Sequence, residues 1–343
     1  MRMLDLFSGI GGFHKGFEQA GYEFEWVGFS EIDKYASAVY RHRFPKAEEL
    51  GDITTIQPGR DLPDHIDILC GGFPCQAFSV AGKRKGFDDT RGTLFFEIAR
   101  LLRHYRETES PIDYFLLENV KGLLSHDNGR TFATIYGVLS DLGYTVEFQL
   151  LNTRWWLPQN RERIYLVGYI GDRSGQSVFP IGETSSLTNN GNTEVANTLQ
   201  HPGHSGGNYR VMSMVQTFTE RSFDGNREDG GRAIRYHKKP GETPCLSSQM
   251  GMGGNNVPMF KIPETTKKGY AAPVLTPNRA IRRLTPVECC RLQGFPDDWN
   301  EYGEFDGEVK PMSDTQRYKQ CGNAVTVNVV QAVAERITSP KVQ

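Results

Sequence analysis

The chain has 343 residues, 38% hydrophobic and 23% charged, so it holds enough apolar material for a real core and enough length for two domains. A net charge of −2 excludes a global basic field, and six cysteines with no CxxC pair and no nearby His spacing point to reduced thiols in a cytoplasmic protein, with neither a metal site nor a disulfide framework. No charged-then-apolar leader opens the sequence, and no stretch reaches the roughly 20 apolar residues of a membrane helix.

Residues 3–7 read as a short apolar strand, followed by a glycine turn and a helix over 12–20. Residues 25–29 form a second strand and 34–43 a second helix. Strands follow at 66–70, 114–117 and 164–169, and Leu94, Ile98, Leu101 and Leu102 space a helix over 93–105. Five-residue strands between helices predict an α/β fold with a doubly wound, mostly parallel sheet. From 172 to 278 Gly, Ser, Thr and Asn dominate, over a length too great for an ordinary loop. Composition alone allows disorder there. A weak repeat, Leu199 with Gly206-Gly207-Asn208 against Leu246 with Gly253-Gly254-Asn255, favours two related β-rich units. Thr285 is then an N-cap, with Pro286 at the first helical position and Glu288 completing a capping box. An apolar helix over 323–337 closes the chain.

Chemistry gathers at the strand ends. Phe7-Ser8-Gly9-Ile10-Gly11-Gly12 links the first strand to the first helix, where glycines let a ligand approach and helix amides face it. Glu31, at the end of the second strand, suits two ribose hydroxyls, and Asp52 suits an adenine amino group. The turn carries no cation for a pyrophosphate, which favours S-adenosylmethionine over NAD or ATP. Each acid taken singly could equally be a surface charge or a helix cap. Cys75 follows Pro74 in a glycine-rich loop after the third strand, where an α/β enzyme holds a nucleophile. Its alternative is an inert buried thiol. Glu118 ends the next strand, on the side that faces the cleft, and is placed to donate a proton. Gln159, Arg161 and Arg163 alternate into the strand 164–169 and so would point together, toward an anion or a carbonyl oxygen. The loop 78–89, with Gly82 and Gly86 flanking Lys83-Arg84-Lys85, could close over a bound polyanion.

In this order the motifs resemble the bacterial DNA (cytosine-5) methyltransferases: the loop from Asp5 to Gly12, Gly72-Phe73-Pro74-Cys75-Gln76, Glu118-Asn119-Val120, Gln159 to Arg163, Arg291-Leu292-Gln293-Gly294-Phe295-Pro296, and Gly322-Asn323-Ala324-Val325. The resemblance covers nearly the whole chain apart from 172–278. It implies a methyltransferase-type α/β domain over 1–171 plus 310–343, and a smaller, irregular, β-rich target-recognition domain over 172–309. It implies that Cys75 attacks C6 of a flipped-out cytosine, that Glu118 holds or protonates N3, that Arg163 contacts O2 and that Arg161 supports the site. It implies a pocket for S-adenosylmethionine, leaving S-adenosylhomocysteine, lined by Phe7, Gly9, Ile10, Gly11, Gly12, Glu31, Ile32, Asp52, Ile53, Pro74, Asn323, Ala324 and Val325. Ile32 stands where many relatives carry an aromatic. Candidate contacts to double-stranded DNA are Ser79, Lys83, Lys85, Gln159, Arg232, Arg235, Gln249, Asn255 and Asn256. A monomer is expected, with a cognate restriction endonuclease as functional partner. The alternatives are an RNA cytosine-5 methyltransferase, against which the long insert speaks, and an inactive DNA-binding relative, against which Cys75, Glu118 and Arg163 speak.

Overall fold

A computed structural model describes residues 1–74, 94–171, 177–181, 217–221, 233–236, 243–246, 258–262, 274–276 and 279–337. Cys75, Ser79, Lys83, Lys85, Arg232, Gln249, Asn255 and Asn256 lie outside the described residues, as do the loop 78–89 and most of the internal repeat. The chain divides into two units, Met1–Leu151 with Glu162–Gly182 and Val329–Gln343, and Asn152–Arg161 with Glu183–Asn328. Residues 152–161 and 310–328, grouped with the first domain on sequence grounds, fall in the second unit.

The first unit is built on a seven-stranded sheet. Its strands are β1 (Arg2–Leu6), β2 (Trp26–Ser30), β3 (Glu48–Glu49), β4 (Ile68–Gly72), β5 (Tyr114–Val120), β6 (Thr145–Asn152) and, after the two-residue β7 (Gln159–Asn160), β8 (Glu162–Tyr169). The order is β3-β2-β1-β4-β5-β8-β6. Strands β3 to β5 run parallel, and β8 lies antiparallel to β5, so the sheet is mixed rather than wholly parallel. The winding reverses between β1 and β4, and a crevice opens at such a switch point, outside the carboxyl ends of the strands. Central strands β4 and β5 read as unbroken apolar runs because both faces are covered.

Helices α1 (Gly12–Gln19), α2 (Lys34–Arg43), α3 (Pro58–Asp61), α4 (Leu94–Glu107) and α5 (Arg130–Asp141) connect them. Asp33 starts α2 by accepting the Tyr35 and Ala36 amides at 2.9 and 3.3 Å. Helix α4 buries Phe95, Ile98, Leu101 and Leu102 in one cluster with Leu69, Phe115 and Leu117. The expected closing helix is shorter, Val327–Ala334, and a Cβ on Gly16 of α1 would lie 2.5 Å from Val330 Cγ1, so the two helices touch backbone to side chain.

In the second unit β9 (Thr217–Arg221), β10 (Ala233–Tyr236), β12 (Pro258–Ile262), β13 (Val274–Thr276) and β14 (Arg279–Arg283) make one antiparallel sheet, ordered β10-β9-β12-β14-β13, with Arg235 on β10. Strand β11 (Thr243–Pro244) leaves that sheet and pairs in parallel with β7. Thr285 and Glu288 form the expected capping box ahead of the helix Pro286–Leu292. No described cysteine is in a disulfide, and no helix among the described residues is long and apolar enough to cross a membrane.

Candidate active site

The turn after β1 is wound tightly. Phe7, Gly9 and Gly11 have positive φ, of 53°, 55° and 83°, and the Gly11 amide closes the turn on the Ser8 carbonyl at 2.9 Å. The glycines serve different ends. A Cβ on Gly11 would sit 2.5 Å from Phe44 and 3.2 Å from Tyr40, so its bareness is a packing need. Among the described residues nothing lies within 4 Å of the Cβ position of Gly9, so they leave that side of the turn open. Glu31 faces the turn from the end of β2. Its Oε2 accepts the Gly9 amide at 2.9 Å and its Oε1 the Asp33 amide at 2.8 Å. Burial raises its pKa, and those amides oppose the rise. Ile32, next along, leaves 78% of its surface in solvent.

Phe7, Gly9, Glu31, Ile32 and Asp52 therefore collect where β1, β2 and the segment after β3 end side by side, tied by Leu50 N–H to Phe29 O at 2.8 Å and Ser30 Oγ–H to Gly51 O at 2.7 Å. The set fits a nucleoside: an open turn, a carboxylate with lone pairs left for hydroxyls, and an uncovered apolar side chain for a base. Asp52 spends one oxygen on the Thr54 amide at 2.9 Å. Ile10 and Ile53 point into the core, 1% and 2% exposed, so only their backbones could line the pocket. Gly12 opens α1, and Pro74 is exposed. Asn323, Ala324 and Val325 belong to the second unit, where the carbonyl of Ala324 receives Arg161.

Strands β4 and β5 set Gly72 beside Glu118. Asn119, which the sequence marks only as a polar residue inside an apolar strand, donates from Nδ2 to the Phe73 carbonyl at 2.8 Å. It thereby fastens the chain two residues before Cys75. Glu118 is buried, with Oε1 2.9 Å from Arg163 Nε. The contact is one of charge without hydrogen-bond alignment, and Oε1 accepts no directed hydrogen bond among the described residues. A buried, half-satisfied carboxylate beside a guanidinium is a site for a ligand carrying a donor and an acceptor side by side.

The alternation expected for Gln159, Arg161 and Arg163 holds for the first two, which both reach Leu246, and fails for Arg163, because the strand starts at Glu162 and Arg163 faces Glu118. Gln159 is wholly buried, with Nε2 on Leu292 O at 2.7 Å and Oε1 on the Leu246 amide at 3.1 Å, which corrects its assignment as a DNA contact. Arg161 is also buried and donates to backbone carbonyls, so it supports structure rather than touching a reacting base.

The model of the C-5 cytosine-specific DNA methylases matches residues 1–339. The chain belongs to that family. As a cytosine-specific DNA methylase it is 41% identical over 337 residues to the type II methyltransferase M1.ScrFI of Lactococcus lactis subsp. cremoris, covering 98% of this chain and 77% of that protein. It is 36% identical to the type II methyltransferase M.HhaI of Haemophilus parahaemolyticus, covering 99% and 94%. Among solved structures it resembles the Dnmt2 methyltransferase of S. pombe, with a TM-score of 0.60 at 19% identity over 97% of this chain and 96% of that one, a likeness of fold. The methylase acts on cytosine C5 in DNA and needs a methyl donor.

Proposed function

We propose that this methylase takes its methyl group from S-adenosylmethionine and modifies one cytosine within a specific duplex sequence, in a restriction-modification setting, as a cytoplasmic monomer whose functional counterpart is a cognate endonuclease. The observation that carries the reading is the Glu118–Arg163 pair, its buried carboxylate beside Gly72, which precedes Cys75 by three residues in the sequence. A cytosine edge offers N3 and O2 together. Glu118 would hold a proton on N3, and Arg163 would take O2.

With the ring so held, addition of the Cys75 thiolate to C6 while N3 takes the proton from Glu118 would make C5 an enamine carbon able to accept a methyl group, the donor departing as S-adenosylhomocysteine. Loss of the C5 proton to a base and return of the N3 proton to Glu118 would then let the C6–S bond break, restoring the aromatic ring and the thiolate. Bound S-adenosylmethionine supplies an electrophilic methyl group. Gly9, Glu31, Ile32 and Asp52 would hold it, with Glu31 taking the ribose hydroxyls and Ile32 lying under the adenine. The target atom is closed off within a stacked duplex, so the base must be extruded, at a cost of about a few kcal/mol. Base reading falls to 172–278, with Arg235 among its candidates, and Ser79, Lys83 and Lys85 would meet phosphates.

The test uses duplex plasmid DNA containing 5-fluorocytosine, from which the C5 substituent cannot leave as a proton. With S-adenosylmethionine present, a covalent protein–DNA adduct at Cys75 is expected, and no adduct on any sequence defeats the mechanism.

A further inference from the structure

The second unit holds a group of buried polar side chains with no part in the chemistry above. Arg161 is 3% exposed, and Gln159 and Gln293 are fully buried. Polar groups so deep are costly unless paired, and here they pair with three stretches of backbone. Arg161 Nη1 reaches Leu246 O at 3.1 Å and Gly322 O at 3.2 Å, and Nη2 reaches Ala324 O at 2.8 Å. Gln159 takes Leu292 O and the Leu246 amide. Gln293 donates to Cys321 O at 2.7 Å and accepts from Thr326 Oγ at 2.9 Å. Strand β11 is thereby held to β7 by its ladder, by the Thr243 amide on Pro158 O at 2.8 Å, and at Leu246 by both Gln159 and Arg161.

We infer that Arg161 is the positioning residue that sets the segment 243–246 and the helix end at 322–324 in one register, so that substituting it relaxes DNA sequence discrimination rather than the methyl-transfer chemistry. This rests on the proposal that 172–278 reads the DNA. Thr243 and Leu246 are buried inside that segment, and the chain runs on from them to Gln249, Asn255 and Asn256. Only a forked, planar cation reaches carbonyls from both arms at once. A lysine ammonium is a single point that cannot span the same three oxygens. Without Arg161 the segment 243–246 loses one of its two side-chain anchors at Leu246 and its fixed register on β7.

The experiment compares the full-length protein with Arg161→Lys on plasmid DNA free of cytosine methylation, reading sites by bisulfite sequencing and rates by tritiated methyl transfer. Adduct formation by the unaltered protein on 5-fluorocytosine DNA is checked first, so that a failure of the underlying mechanism is seen separately. For Arg161→Lys we expect KM for plasmid to rise about tenfold and methylation at sites one base off the consensus to rise by a similar factor, both exceeding the change in kcat. Arg163→Lys should show the opposite split, with kcat falling most. If Arg161→Lys keeps its KM and discrimination and loses only melting temperature or active fraction, Arg161 is merely structural and the inference is wrong. A loss confined to kcat is equally fatal. Should that variant not fold, Gln159→Met, which cuts the bonds to Leu246 and Leu292, must relax discrimination in the same way, and unchanged discrimination there overturns the idea.

Discussion

Arg163 Nε lies 2.9 Å from Glu118 Oε1, although the register of β5 and β8 sets Tyr165 opposite Glu118 and Val120 opposite Arg163. The two side chains meet on the diagonal across the strand pair. Glu118 is buried and Arg163 mostly so, and the carboxylate depends on the guanidinium because it has little water to fall back on.

Arg163→Gln therefore leaves a buried carboxylate uncompensated and should cost about 3 kcal/mol in urea unfolding. Adding Glu118→Gln in the same chain should return part of that loss. A double variant less stable than Arg163→Gln alone would show that the pair is not held by charge.

Glu118→Gln on its own keeps the shape and removes the acid. Its kcat should fall by about 10²- to 10⁴-fold with plasmid affinity held. A variant that methylates at the normal rate but binds DNA poorly would move Glu118 out of the chemistry.

Two glycine substitutions should differ in kind. A Cβ on Gly168 of β8 would fall within the ring of Phe115, so Gly168→Ala should cost about 1–3 kcal/mol, partly recovered by Phe115→Leu. Gly9→Ala meets nothing and bears only the strain of its positive φ, roughly 1–2 kcal/mol. It should weaken S-adenosylhomocysteine binding measured by calorimetry, whereas Gly168→Ala should leave that binding alone.

Asp5 governs a pH dependence. It lies at the foot of the cofactor turn, fully buried, with Tyr40 donating to Oδ2 at 3.1 Å, and burial raises its pKa well above the carboxylate range. A raised acid contributes stability that is full below its unfolded pKa and is lost as pH rises toward the folded one. Urea midpoints should thus fall as pH rises above the ordinary Asp value of about 3.9, and Asp5→Asn should remove a slope of up to about 1.4 kcal/mol per pH unit. His14 has the opposite sign. Burial lowers it to about 3, so its contribution is full above the ordinary His value and declines as pH falls below it, a loss that Asp5→Asn leaves in place. Identical slopes for Asp5→Asn and the unaltered protein would show that Asp5 does not hold its proton.

Thr285→Ala should cost about 1 kcal/mol, since the Thr285 hydroxyl takes the Glu288 amide at 3.2 Å and Glu288 returns to the Thr285 amide at 2.7 Å.

That capping box was legible because its bonds join residues three apart. The same holds for α2, whose bounds follow from Asp33, and for β4 and β5, whose apolar runs are longer than a loop would carry. Helix α5 was not legible. It starts from Gly129 in a left-handed conformation with no side-chain cap, so no polar residue announces it. The helix Asp314–Asn323 was also missed, because it is mostly polar and buries only Gln320, Cys321 and Gly322.

The sequence by itself determined the succession of strand, turn and helix, the glycine turn with Glu31, the loop holding Cys75, and the family those motifs belong to. Each is a local pattern, written in the spacing of neighbouring side chains. Only the tertiary structure decided that β8 runs antiparallel to β5, that Asn119 ties down Phe73, and that Arg161 and Arg163, two residues apart, are spent on different partners. An alternating pattern says which side chains share a face only while the strand continues, and here it begins at Glu162. What a guanidinium does is set by the carbonyls or carboxylate folded against it, and those come from residues as far as 163 positions along the chain, as Ala324 is from Arg161.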